Sequence, residues 1–440
     1  MFFVRISSMK KIIQYNNKNT SSISLTDCFN LSKKQVKNIH LFFCGFLIYT
    51  IGYAFTNIGE KQISIDVFQG IQLVGLIVLI IGAVDLMKFK FDDAYLQSVF
   101  TIYIVFSATV IVRVGDMDYV FIKTLLFNVD YSVFLYLVPL VIFFPRNIAF
   151  YKNVFKFIFL FGIAFLIFSI VYSNVILDPT RADNSQGQYA IECFFLYLCY
   201  PTAFVLLTYI YHTQPKKLFA FGIFLLCTYF LIFRARRGSL FVCLTTMTGV
   251  LMMYLIHTKR TVMIIFLSIF LVLFCTLFLS NIKPPAFMDF LLSRADTDTR
   301  TGVELCMKAD MTWQDWIIGK GIHGKYICPL GVDEETALTG QRSIIETGYL
   351  QIILGSGLLG IGLVAFMIIP AIYKGLFKSS NLLCKAAGIF MLLWVIYQYP
   401  RIVTSFSLYY IMVWICVGMC YSPTIRNMSD SVIKMQLQKK

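Results

Sequence analysis

Three arginines within four positions form the first group in this sequence whose type and spacing could do chemistry. Arg234, Arg236 and Arg237 lie in the stretch FRARRGSLFVCL, between two long apolar runs. Guanidinium groups stay charged at any working pH and bind phosphate oxygens in bidentate fashion. Because an arginine at mid-bilayer costs roughly 2.5–3.5 kcal/mol on insertion scales, such a cluster predicts an anion-binding site. A set of side chains that snorkel to the membrane interface is the alternative.

More arginines follow in segments that are predicted to lie on the same side of the membrane. They are Arg294 and Arg300 in SRADTDTRTG, Arg342 in GQRSIIETGYLQ, and Arg401 after a proline. A set this rich in guanidinium groups suits a diphosphate. Asp296 and Asp298 form the one D-x-D spacing on this side and no H-x-x-x-H spacing occurs, so no metal site and no other cofactor is predicted.

Two residues are candidates for a general base. Glu346 stands at the head of a long apolar helix, where its carboxylate could take a proton from an attacking hydroxyl. The alternative, ranked equal, is that Glu346 stabilises the positive N-terminal end of that helix. His323 is the second choice and is the one histidine predicted outside; a solvated loop histidine is its alternative.

His323 lies in GKGIHG, which formally matches the dinucleotide pattern G-x-G-x-x-G. That interpretation fails because no β-α-β unit surrounds the motif. Gly319 and Gly321 instead predict a close approach of the backbone to another group.

The composition of the chain indicates what kind of element must position these residues. The chain has 440 residues, of which 58% are hydrophobic and 14% are charged, against about 25% charged in soluble proteins. We therefore predict an all-α, polytopic membrane protein. Twelve runs are long enough to span a bilayer: 40–58, 67–87, 96–113, 131–149, 154–174, 188–211, 216–233, 238–257, 260–280, 346–370, 382–399 and 402–420. The third is the weakest, because 119–127 is also apolar and could extend it or re-enter.

The predicted organisation has five parts. Residues 1–39 form a cytoplasmic segment, 40–280 hold spans 1–9, 281–345 form a large extracytoplasmic loop, 346–420 hold spans 10–12, and 421–440 form a cytoplasmic tail. A loop of this length inside a compact protein usually carries function. Cys306 and Cys328 share this loop, where an oxidising compartment permits a disulfide but does not require one.

The net charge of +15 is explained by the orientation of the chain in the membrane and not by binding to nucleic acid. With both termini cytoplasmic, 23 of the 38 Lys and Arg residues lie in the predicted inner segments, which are 1–39, 88–95, 145–156, 211–217, 257–260, 371–385 and 421–440. This follows the positive-inside rule. The arginines at 234–237 break the rule, because the span that ends at Phe233 should emerge outside.

The later motifs carry a resemblance to a known family. R-R-G-S at the start of a span resembles the S-R-G type motif of the O-antigen polymerase and ligase family. W-Q-D-W-I-I-G-K-G-I-H-G is similar to that family's long periplasmic loop, and I-I-E-T-G-Y-L-Q-I-I-L-G-S-G-L-L-G to its H-N-x-Y-L-Q…G-L-L-G segment. The matched motifs lie between residues 230 and 365. Glu346 and Thr347 replace the histidine segment that precedes Y-L-Q in ligases, which favours a polysaccharide polymerase.

The resemblance implies an enzyme of the bacterial cytoplasmic membrane that polymerises repeat units carried on polyprenyl diphosphate, without a metal. A flippase and a chain-length regulator are its expected partners, beside membrane lipid. Arg237 is the first choice for stabilising the diphosphate, with Glu346 or His323 as the base. The rest of the expected site divides into a diphosphate-binding set (Arg234, Arg236, Arg300, Arg342) and a substrate loop (Arg294, Gly319, Gly321, Tyr349, Arg401).

Three alternatives stay open from the sequence. A ligase would pass the finished lipid-linked glycan to an acceptor. A twelve-span transporter or lipid-glycan flippase would place ionisable groups at mid-membrane, commonly near broken helices. A non-catalytic membrane scaffold would leave the arginine cluster and the glycine-rich loop unexplained.

Overall fold

The computed structural model describes residues 30–58, 64–113, 119–129, 133–173, 200–233, 237–258, 300–329 and 339–439. Within these ranges the chain is almost entirely helical, which confirms the prediction of an all-α membrane protein. Six described helices are long and apolar enough to cross a bilayer. The count of twelve spans stays a prediction, because the ninth predicted span, 260–280, lies outside the described residues.

The helices before the large loop run as follows: α1 Lys33–Ile58, α2 Ile65–Leu86, α3 Ala94–Val112, α4 Tyr119–Phe127, α5 Phe134–Leu137 continued by a 3-10 turn Val138–Phe143, α6 Ile148–Val171, α7 Pro201–Leu207 continued by a 3-10 turn Tyr209–Tyr211, α8 Gln214–Phe233 and α9 Arg237–Thr258. The segment 119–127 is thus a separate short helix and not an extension of α3. Within the fourth predicted span, 131–149, the first described helical stretch runs for ten residues, from Phe134 to Phe143. The next helix, α6, already begins inside that span at Ile148.

The later elements are α10 Thr301–Asp310, α11 Trp313–Ile318, strand β1 Tyr326–Ile327, strand β2 Gln341–Arg342, α12 Gly348–Phe377, α13 Leu382–Tyr397, α14 Leu408–Tyr421, α15 Pro423–Arg426 and α16 Asp430–Gln438. The two strands pair antiparallel, with Tyr326 opposite Arg342.

Helices α1 and α2 form a hairpin that is packed through glycines. A Cβ atom at Gly75 would lie 2.5 Å from the amide nitrogen of Tyr49, and one at Gly45 would lie 2.4 Å from that of Leu79. Small residues let helix backbones approach closely within a membrane. The opposite face of α2 is exposed and apolar, as at Val74 and Ile81, and is suited to contact with lipid.

Polar contacts cluster at one end of the helices. Arg146 pairs with Asp92 at 3.2 Å, and Lys374 pairs with Asp93. Asp430, in the C-terminal tail 421–440, accepts a hydrogen bond from the Leu382 amide at 2.8 Å. These contacts bring together the segments 88–95, 145–156, 371–385 and 421–440, which the charge distribution had assigned to one side.

The two helices that lead to the other end are short. Helices α13 and α14 have 16 and 14 residues, or about 24 and 21 Å, which is shorter than the roughly 30 Å hydrocarbon core. We therefore expect the turn 398–407 that joins them to lie below the membrane surface. Non-helical backbone at that depth must be enclosed by protein. Ser405 Oγ and the Phe406 amide both donate to the Val129 carbonyl, at 2.8 and 3.0 Å, and both residues are buried.

Candidate functional site

Helix α12 is broken at Gly357. Gly357 has φ 65° and ψ −172°, which interrupts the helix within an otherwise apolar run. The carbonyls that the break leaves without helical partners accept from the loop motif GKGIHG. Lys320 N donates to Leu354 O at 2.7 Å, and Gly321 N donates to Gly355 O at 3.0 Å. The loop thereby becomes part of the membrane domain.

Two glycines are needed for this contact. A Cβ atom at Gly319, which has φ 72°, would lie 2.4 Å from the Ser356 amide nitrogen, and one at Gly357 would lie 2.2 Å from the Ile317 carbonyl oxygen. No side chain fits at either distance. The sequence prediction of a close backbone approach is therefore confirmed at Gly319, where the group approached is the chain's own helix. At Gly321 a Cβ atom would lie 3.7 Å from the nearest atom, the Val110 carbonyl oxygen, so no approach that would exclude a Cβ atom occurs there.

Arg113 and Lys320 hold the inserted segment in place. Arg113 Nη2 donates to Ile318 O at 2.6 Å and Nη1 donates to Gly319 O at 3.2 Å, which caps the C-terminal end of α11. Lys320 Nζ pairs with Asp310 Oδ2 at 2.5 Å. The sequence reasoning missed Arg113, although an arginine at the end of an apolar span was a signal that could have found it.

A polar depression lies where α10 meets the head of α12. It measures about 210 Å³, counting space open to solvent, and these residues line it: Arg300, Val303, Glu304, Arg342, Ile345, Glu346 and Thr347. Arg300 Nε donates to Glu346 Oε2 at 3.0 Å. Three residues chosen from the sequence, Arg300, Arg342 and Glu346, are thus brought together although 46 positions separate the first from the last.

Glu304 and Thr347 complete the depression, and the sequence reasoning missed both. Thr347 Oγ1 donates to Glu304 Oε1, and Lys308 lies 3.8 Å from the same carboxylate. The Glu304 side chain is 22% exposed, against 54% for Glu346. Its place one helical turn after Arg300 was the available signal, because residues i and i+4 share a helix face.

Arg342 is positioned by the two-stranded ribbon. Its Nε donates to Ile344 O at 3.1 Å, and Tyr326 OH, from the opposite strand, donates to the same carbonyl at 2.8 Å. The Ile345 amide then donates to Gln351 Oε1 at 2.8 Å, which ties the ribbon to the first turns of α12. The ribbon and the helix therefore hold Arg342 and Glu346 as one unit.

One turn joins this depression to the R-R-G-S motif. A Cβ atom at Gly348 would lie 2.5 Å from Arg401 O, and one at Gly238 would lie 2.5 Å from Pro400 O. Arg401 Nη1 also donates to Ser239 Oγ. The start of α9 therefore packs on the Pro400 carbonyl, and the start of α12 packs on the adjacent Arg401 carbonyl. Arg401 lies between the two helix starts.

The remaining candidates divide by what the structure describes. Arg234, Arg236 and Arg294 lie outside the described residues, and Arg237 is described only as the first residue of α9. Tyr349 is half-buried beside the depression, and its amide donates to Gln398 O at 3.3 Å.

His323 is partly buried in the turn that follows α11 and does not line the depression. Of the two candidate bases, only Glu346 lies beside arginines that line that depression. Among the described residues, no group of three or more His, Cys, Asp or Glu side chains is placed to hold a metal ion.

The two loop cysteines pack together in one small apolar cluster. Cys306, on α10, is partly buried and packs against the core that contains the fully buried Cys328, which follows β1. The neighbouring Cys328 thiol, and then burial, raise the pKa of the Cys306 thiol above its usual value. Both cysteines belong to a small apolar core with Met307, Tyr326 and Leu350.

Comparison with known proteins adds no relative: no family model, no curated protein and no solved structure matches the chain.

Proposed function

We propose that this protein polymerises oligosaccharide repeat units carried on polyprenyl diphosphate into a surface polysaccharide, at the outer leaflet of the bacterial cytoplasmic membrane. The observation that carries the proposal is the depression where Arg300, Arg342 and Glu346 meet, one turn of chain away from R-R-G-S. The family resemblance supplies the substrate class. The turn 398–407, which we expect below the membrane surface, supplies a reason for the site to lie at the membrane edge, where a lipid-linked donor reaches it.

The arginines serve the leaving group. Glycosyl transfer from a diphosphate develops negative charge on the departing phosphate oxygens, and fixed positive groups aimed at such charge are often the largest catalytic contribution. Arg300 and Arg342 line the depression from two different elements, a helix start and a strand. Arg401 adds a positive charge on the turn. We assign Arg237, the first residue of α9, to the same role.

Glu346 serves as the base that accepts the proton of the attacking sugar hydroxyl. Its carboxylate is paired with Arg300 at 3.0 Å. A diphosphate offers Arg300 a bidentate partner of higher charge. Arrival of the donor then releases Glu346 from the pair, which places a free carboxylate beside the reacting centre.

The broken helix α12 favours a transporter as the second candidate, because transport sites often form at helix breaks. At Gly357, however, two of the exposed carbonyls already accept from Lys320 and Gly321. The break is filled by the protein's own loop. The arginine-lined depression, which lies beyond the head of α12, therefore supports the enzyme over the transporter.

The test replaces each arginine of the depression. Arg300→Ala and Arg342→Ala should each lower the polymerisation rate by on the order of 100-fold, because each removes one charged contact to the leaving group. Long polymer should disappear from glycan gels, while single repeat units remain. Lys325→Ala is the matched control, since it removes an exposed positive charge of the same loop that does not line the depression.

The product distribution separates the alternatives. Long polymer that stays on its lipid carrier would identify a ligase instead. Loss of all lipid-linked units from the outer leaflet would indicate a flippase. Normal polymer length in both arginine variants would contradict the proposed site.

A further inference from the structure

We infer that Cys306 and Cys328 are a disulfide-forming site whose bond fixes the two sides of the arginine-lined depression to each other. The inference rests on the orientation in the proposed function, which places the loop outside the cytoplasm, where disulfides form and persist. It does not rest on the enzymatic activity. The supporting observations are the packing of both cysteines in one small cluster, the burial of Cys328 and the elements that the pair joins.

The pair joins separate parts of the site. Cys306 lies on α10 two residues after Glu304, and α10 begins directly after Arg300. The amide of Cys328 donates to Gly340 O at 2.9 Å, which ties it to the strand that carries Arg342. A bond between the two sulfurs would therefore fix the helix with Arg300 relative to the strand with Arg342.

Other cysteine contacts of the described chain lack these features. Cys227 and Cys243 also form a thiol contact, but both are buried within apolar helices. Cys384 and Cys420 are fully buried near the opposite end. Cys306 is partly exposed, so an oxidant can reach its sulfur, whereas the sulfur of Cys328 is buried.

The oxidation proceeds by thiol–disulfide exchange with a disulfide-bearing oxidoreductase. The Cys306 thiolate attacks that disulfide, which forms a mixed disulfide and releases one thiolate of the oxidoreductase. The Cys328 thiolate then attacks the Cys306 sulfur, which forms the Cys306–Cys328 bond and releases the second thiolate. The pair loses two protons and two electrons, and the oxidoreductase becomes a dithiol.

The experiment uses the full-length protein in intact cells. Free thiols are blocked with N-ethylmaleimide during lysis, the protein is digested without reductant, and the peptides are identified by mass spectrometry. We expect a linked pair of peptides that contain positions 306 and 328, and alkylated thiols at Cys227 and Cys243. Cys328→Ser should leave Cys306 alkylated.

A second measurement separates the inference from the orientation. Intact cells are treated with a membrane-impermeant maleimide, and labelling of Cys306 is measured in Cys328→Ser. If Cys306 is labelled there but both thiols of the wild type are also alkylated, the orientation is right and the disulfide is wrong. If Cys306 is labelled only after the membrane is permeabilised, the orientation is wrong, and the proposed function fails with it.

A linked wild-type pair has a further consequence for the loop. Reductant should raise the rate of tryptic cleavage within residues 306–328 by on the order of tenfold, because a cross-link that closes a loop of this length restricts its opened states. Cys306→Ser should show the faster cleavage with or without reductant. Equal cleavage of reduced and unreduced wild type would contradict a role in fixing the site.

Discussion

Glu346 shows how a single residue can fit two roles until its neighbours are known. From the sequence, a helix-stabilising carboxylate and a general base ranked equal. The structure adds a contact between Glu346 and the Arg300 guanidinium at 3.0 Å. A diphosphate would bind that same guanidinium. With side chains 38% and 54% exposed, such a pair adds only about 0–1 kcal/mol to stability. A large effect on activity would therefore come from chemistry and not from folding.

We predict that Glu346→Gln keeps normal protein levels but lowers the polymerisation rate by on the order of 100-fold, because an amide accepts no proton from the attacking hydroxyl. The measurement combines glycan gels with quantification of the protein in membranes. Glu346→Asp is the conservative comparison and should recover part of the rate. A rate in Glu346→Gln within twofold of the wild type would leave that residue as a partner of Arg300 or of the helix end.

The residue types of the site were readable from the sequence, but their grouping was only partly so. Arg300 and Arg342 were notable as guanidinium groups predicted on the outer face, and Glu346 as an acid at the head of an apolar helix. Glu304 was overlooked because an acid inside a polar helix looks like ordinary surface. Only the fold shows that Thr347, from another helix, donates to its carboxylate. Charge at a membrane edge can be seen in the sequence, whereas a contact between distant segments cannot.

At the scale of elements, the GKG segment and the Gly357 break depend on each other. A helix break within a membrane needs partners for its free carbonyls. The loop that fills this break can approach the helix only where neither chain carries a side chain. Gly319 on the loop and Gly357 on the helix meet this condition. The sequence predicted the close approach at Gly319 but placed α12 as one continuous span, because nothing in an apolar run marks a glycine as a break.

We predict that Gly357→Ala disrupts this junction, because its φ of 65° and the 2.2 Å approach to Ile317 O exclude a methyl group. The cost should be about 1–3 kcal/mol, as positive φ and overpacking together suggest. The measurements are the melting temperature in detergent and protease cleavage of the loop. Gly362→Ala on the same helix is the matched control, since a Cβ there meets open space. Equal melting temperatures in the two variants would contradict the junction.

At the scale of the whole molecule, the charge pattern and the contacts agree about which segments share an end. The positive-inside rule grouped the segments 88–95, 145–156, 371–385 and 421–440 from their lysines and arginines alone. The structure joins them through the ion pairs of Asp92 and Asp93 and through Asp430. The arginine-lined depression belongs to the loop elements and the head of α12. The charge pattern also predicts the direction, with the tail end facing the cytoplasm.

We therefore predict opposite labelling at the two ends. Lys308→Cys, exposed on α10, should react with a membrane-impermeant maleimide in intact cells, because the loop is predicted to face outward. Lys434→Cys, exposed on α16, should react only after the membrane is permeabilised. Identification of the labelled peptides by mass spectrometry separates these positions from the native cysteines. If Lys434→Cys were labelled in intact cells and Lys308→Cys were not, the depression would face the cytoplasm, and a lipid-linked donor in the outer leaflet could not reach it.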